Sequence, residues 1–242
     1  TLVYLLAAFI CGGLAAHSWT RNRTDPVRTA FAIVAGITGL SYLAFGLYLV
    51  PRLESFIYIH ALAGSLVPVS FLWFIERLFG RIHQPMGTLV RRMWIATPML
   101  GAFYLMADIT LFQSARSPSP AAFLFTTYVM GCLILCLVKL YRIHNRSTNQ
   151  LQRLRIRYLI GLLGACVFFT IIEQLLRGFA DAELKANLSE LGLIAYSRAL
   201  QGAAPPIGTL FGILFIYFLH QIVQLHRLLD LNEIIGRIFT LG

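Results

Sequence analysis

The sequence predicts an all-α, polytopic membrane protein: a bundle of seven transmembrane helices with its N-terminus outside and its C-terminus in the cytoplasm. Three observations carry that expectation. Hydrophobic residues make up 58% of the 242 positions and charged residues only 12%, with a mean hydropathy of +0.73. A soluble domain of this size needs far more charge to cover its surface. Apolar runs of about 20 residues recur, the length that crosses a bilayer as a helix. An open sheet in lipid would leave edge groups unpaired, and the alternation of a membrane barrel is absent.

Seven runs are expected to span, over residues 2–19, 29–50, 56–78, 93–112, 121–141, 158–177 and 204–225. The first run begins at Thr1 rather than a methionine, so the start reads as incomplete or processed. It has no basic segment before it and no cleavage site after it, so it reads as a span and not a signal peptide. Turn-rich punctuation separates the runs: TRNRTDP after the first, VPRLES after the second, SARSPSP after the fourth and AAPP at the opening of the seventh. Pro68 is expected to kink the third span. Pro205 and Pro206 suit the first turn of the seventh, where missing donors matter least. Gly208 and Gly212 form a GxxxG there, which permits close helix approach within the bundle or across a dimer.

Orientation follows from the basic residues. Of the 20 lysines and arginines, fifteen fall on one set of alternate loops and five on the other. The richer side is the cytoplasmic one. The net charge of +10 is then a cytoplasmic coat that suits anionic headgroups. A nucleic-acid partner is not expected, because the basic residues are dispersed over short loops.

Ionisable groups inside spans are costly and need an explanation. Asp108 and Glu173 lie near the outer ends of the fourth and sixth spans, and His60 near the outer end of the third. With Tyr58 and Arg177 beside them, these residues form a candidate ligand-binding or proton-sensing pocket under the outer surface. A histidine facing carboxylates titrates near neutral pH. The competing reading is plainer: Glu173 pairs with Arg177, Asp108 reaches the interface, and His60 bonds a carbonyl. Both stay open. In the last outer loop, Asp181 is expected to cap a short interfacial helix with Leu184, Leu188 and Leu191 on one face.

Catalytic, metal and cofactor sites are not expected. The sequence contains no HExxH, no GxSxG and no phosphate-binding loop. Cys11, Cys132, Cys136 and Cys166 sit in apolar runs as small packing residues. The six histidines are scattered, and the seventh span lacks the lysine a retinal protein requires. His17 and His220 read as structural residues at the inner ends of spans one and seven.

After the seventh span comes LHRLLDLNEIIGRI. Leu228, Leu231, Ile235 and Ile238 are spaced 3, 4, 3, an a/d seam of a coiled coil, and a candidate path for signal transmission. The alternative is a helix lying flat on the inner leaflet. Seven spans followed by this helix resemble the N-terminal seven-helix sensor regions of bacterial membrane histidine kinases and related signalling proteins. The resemblance implies a bacterial inner-membrane input module. Residues 1–225 would form its sensor domain and residues 226–242 the start of a cytoplasmic signalling helix. It further implies a homodimer, a small apolar or amphipathic ligand, and an output domain with the enzyme activity, such as a histidine kinase, outside this sequence. Two rivals are a structural subunit of a membrane complex and, behind it, a small transporter.

Overall fold

The structure is a computed structural model. It describes residues 2–21, 25–50, 55–79, 87–111, 120–147, 150–187 and 206–225. Within its helices, the side chains of residues 105, 107–111, 120–126, 151–152, 173–187 and 225 lie outside the described part. All described secondary structure is helical: α1 Leu2–Arg21, α2 Pro26–Tyr48, α3 Phe56–Phe79, α4 Thr88–Leu111, α5 Pro120–Arg146, α6 Gln150–Asn187 and α7 Ile207–Leu225. Six of these, all but α4, carry stretches long and apolar enough to cross a membrane. The chain is therefore a multi-pass membrane protein.

Local chemistry sets several of the boundaries. Asp25 caps α2: its Oδ1 accepts from the backbone N–H of Val27 at 2.9 Å, and Pro26 occupies the first turn, where a missing donor is harmless. Pro206 stands just before α7, and its carbonyl accepts from the Leu210 N–H at 3.2 Å. Helix α3 runs unbroken through buried Pro68. In α4, Pro98 sits inside the helix and is exposed on its surface.

One expected element is different. Asp181 does not open a new helix, because α6 continues through it to Asn187. The segment Ala180–Asn187 is made largely of strong helix formers, and Gly178 alone is too weak a breaker to end the helix. At 38 residues, α6 is about 57 Å long, nearly twice the hydrocarbon thickness. Leu188 and Leu191 lie outside the described residues.

The helices pack as an up-and-down ring. Neighbours in sequence touch in turn, and α7 closes the ring against α1 and α2. Side-chain pairs fix the directions. Tyr4 meets Phe45 and Phe31 meets Phe74, so α2 runs against both α1 and α3. His17 meets His220, so α1 and α7 run parallel. Phe169 stacks on Phe211 at 4.2 Å, which joins α6 to α7. Glu76 pairs with Lys139, which places the ends of α3 and α5 together.

Lipid tails are as apolar as leucine, so close packing and polar contacts must hold such helices together. Small residues let α1 and α2 approach. A Cβ on Gly39 would lie 3.2 Å from the Cβ of Cys11 and 3.3 Å from the carbonyl of Ala8, and one on Gly46 would lie 3.1 Å from Leu5. Aromatic rings fill the centre, with Phe71 edge-on to Phe215 at 5.1 Å. The four cysteines are free, three of them fully buried in the core. The GxxxG of α7 serves the bundle itself, since the Tyr42 hydroxyl of α2 packs directly over Gly212.

Candidate functional site

The helix directions bring the sequence-predicted outer residues to one end of the bundle. His60 lies in the first turns of α3, Asp108 near the end of α4, and Glu173 in the later half of α6. Counted from the opposite helix ends at 1.5 Å per residue, the three sit about 28, 30 and 35 Å away. Their backbones thus fall toward the same end of the bundle. The side chains of Asp108, Glu173 and Arg177 lie outside the described residues. Tyr58 is half-buried at the start of α3, and its N–H donates to the Ser55 carbonyl at 3.2 Å.

His60 is anchored to α2. Its Nδ1 lies 3.0 Å from both the hydroxyl and the carbonyl oxygen of Ser41, and its ring packs on Phe45 at 4.7 Å. A carbonyl only accepts, so Nδ1 carries the proton that bonds it. For this residue, the plainer of the two sequence readings describes the contact.

The opposite end carries most of the arginines and two polar clusters. The first joins α3, α4 and α5. Lys139 donates to Glu76 Oε1. Oε2 of the same carboxylate accepts from the Gly87 N–H at 3.0 Å, just before α4 begins. Glu76 and Lys139 are 21% and 30% exposed, so the pair is only partly wet. A Cβ at Gly87 would lie 2.6 Å from Glu76 Oε1, and glycine therefore lets the carboxylate reach the backbone. Arg77 stands over the Trp73 ring, and Trp73 meets Trp94 edge-on at 6.3 Å.

The second cluster is the candidate site. It lies where the last turns of α1 and α7 meet the first turns of α2. Arg21 Nη1 donates to Gln224 Oε1 at 3.0 Å. The Gln224 amide nitrogen stands 3.3 Å from His220 Nε2. Because a guanidinium only donates, Gln224 must turn its oxygen to Arg21 and its NH₂ to His220. His220 Nε2 is then an acceptor, and the proton of the neutral ring sits on Nδ1. The ring is packed between His17 at 5.6 Å and Phe31 at 5.7 Å. It is only 9% exposed. On α2, Arg28 Nε faces Asp25 Oδ2 at 3.3 Å.

This arrangement ties α7 to α1 by directed polar contacts one residue before α7 ends. In lipid, such contacts fix the rotation of a helix about its axis. Sequence reading puts His17 and His220 at the inner ends of spans one and seven as structural residues, but gives no sign that they meet, nor any of Arg21 and Gln224. These two are separated by 203 positions, and no local pattern joins them. Among the described residues, no group of three or more histidine, cysteine or acidic side chains is placed to hold a metal ion. Leu228, Leu231, Ile235 and Ile238 lie outside the described residues. No family model, no curated protein and no solved structure matches the chain.

Proposed function

We propose that this chain is a membrane-embedded sensory input module. In this reading all seven helices span, α4 included, with the N-terminus outside and the basic end in the cytoplasm. The 24 residues of α4 give about 36 Å of helix, enough to cross. The module senses a small ligand, a lipid or a membrane state at its outer half. It passes the change through α7 to a cytoplasmic output domain, as the likeness to histidine kinase sensor regions implies.

The observation that supports it best is the polar clasp between α1 and α7. A transmitting helix needs two defined rotational or tilted positions, not a continuum. The Arg21–Gln224–His220 chain defines one. A second packing breaks it, and a stimulus that favours one packing shifts the population. The 3-4-3 seam at 228–238 follows within one turn, so rotation of α7 re-aims it if the helix continues.

The test is a Gly-Pro insertion after Leu225 in the full-length protein, with signalling output as the readout. Loss of regulated output with normal membrane insertion is expected. Intact regulation would refute the reading.

A further inference from the structure

The clasp between α1 and α7 runs in one direction only. Arg21 donates to the Gln224 oxygen at 3.0 Å, and the Gln224 NH₂ faces His220 Nε2 at 3.3 Å. A guanidinium cannot accept, so the amide cannot turn round without losing Arg21. His220 Nε2 must therefore offer a lone pair. Its other nitrogen, Nδ1, is buried and has no hydrogen-bond partner among the described residues. A protonated ring would carry two N–H groups. One would face the NH₂ of Gln224, and the other would still lack an acceptor. The closed clasp thus admits only the neutral imidazole.

The surroundings act in the same sense. His17 and Arg21 on α1 and Arg28 on α2 set positive charge against His220, and the His17 ring is 5.6 Å away. Asp25, the carboxylate of α2 at this end, is engaged by the Val27 and Arg28 N–H groups and by the Arg28 side chain. On α6, which also packs on α7, the first turns bring Arg153, Arg155 and Arg157 and no acid. The His220 ring is buried against Phe31, so water does not offset a charge on it.

We propose that the α1–α7 clasp is a pH-sensitive latch, opened when His220 takes a proton from the basic end of the bundle. Once Nε2 is protonated, Gln224 turns its oxygen to His220 and its NH₂ to Arg21. The Arg21–Gln224 bond that crosses from α1 to α7 is then lost, and His17 and His220 repel when both are charged. In the open packing the ring meets water, where an imidazole titrates near about pH 6.5. Only the open packing binds the proton. The latch is therefore shut above about pH 6.5, and the ratio of open to closed rises by up to about tenfold for each pH unit below it. This inference rests on the same clasp as the sensory reading and adds to it an input at the opposite end from His60.

Distances between nitroxides on the two helices test it, in the whole chain in lipid nanodiscs and with no signalling output needed. Thr20→Cys on α1 and Leu214→Cys on α7 carry the labels at exposed positions. Cys166, the one native cysteine that is not fully buried, is replaced by alanine. As pH falls from about 7.5 to about 5.5, a second distance population is expected to grow, its ratio to the first rising by up to about tenfold over the last pH unit. His220→Gln keeps an acceptor for Gln224 without titrating and should hold the first population throughout. Gln224→Leu removes the chain of bonds and should show the second population at every pH. An unchanged distribution in the chain with His220 intact, or the same pH response in His220→Gln, would overturn the proposal and leave the sensory reading to its own test. Circular dichroism at each pH separates opening from unfolding.

Discussion

Replacing Lys139 by methionine tests whether polar contacts hold the basic end together. The substitution keeps the length of the side chain and removes its charge. Among the described residues, Glu76 then has one donor left, the Gly87 N–H at 3.0 Å, while its side chain is only 21% exposed. Fully exposed pairs contribute about 0–1 kcal/mol, and stranding one partner of a fully buried pair costs about 3–5 kcal/mol. With both side chains at least two-thirds covered, the expected loss lies between those limits, at about 2 kcal/mol. For a chain of this size that lowers Tm by about 4–8 °C. Glu76→Gln still accepts from Gly87 and should cost only about 1 kcal/mol. In the double variant no charge is stranded, so the two losses should fall short of additive by about 1 kcal/mol or more. The assay is unfolding in micelles followed by a thiol-reactive dye, since Cys11, Cys132 and Cys136 are buried when the bundle is intact. If Lys139→Met leaves Tm unchanged, or if the two losses simply add, the pair contributes nothing and the clasp at α3, α4 and α5 is incidental.

Further predictions follow from packing and topology. Gly212→Ala should destabilise by about 1–3 kcal/mol, because its methyl group would collide with the Tyr42 hydroxyl. Tyr42→Phe in the same chain should recover most of that loss, as the same dye assay would reveal. Gly39→Ala should also destabilise, since backbone atoms of α1 stand 3.3 Å from the added carbon. Gly161→Ala meets nothing within 4 Å and should be neutral or stabilising by up to about 1 kcal/mol. Equal effects at Gly39 and Gly161 would contradict the packing of α1 on α2. For topology, cysteines placed at Ser55 and Asn145, both exposed, should react with an impermeant thiol reagent from opposite sides. Ser55→Cys should label in intact cells and Asn145→Cys only in inverted vesicles.

The comparison of sequence with structure divides by range. Helix existence and extent were legible because lipid makes hydropathy the dominant local signal. Six of the expected runs are recovered as long apolar helices, with ends shifted by a few residues in most. The exception is α6, whose polar extension to Asn187 carries no apolar signal and no strong stop. Contacts between distant positions were not legible. Glu76 and Lys139, Arg21 and Gln224, and Tyr42 and Gly212 pair across 63, 203 and 170 positions. Spacing rules do not reach that far. The GxxxG illustrates the gap: its glycines marked a close approach, and only the bundle identifies Tyr42 as what approaches. For the outer group, the partner of His60 was not readable, because Ser41 is an unremarkable residue in an apolar run.

The claim that α7 is the moving element, clasped to α1 at the basic end, is tested most directly by fixing the two together. Cysteines at His17 and His220, whose rings are 5.6 Å apart, would be oxidised in the membrane-embedded full-length protein and its output measured before and after reduction. The account predicts an output locked at one level while the bridge is closed, and regulation restored by reductant. Complete bridging with regulation unchanged would contradict it.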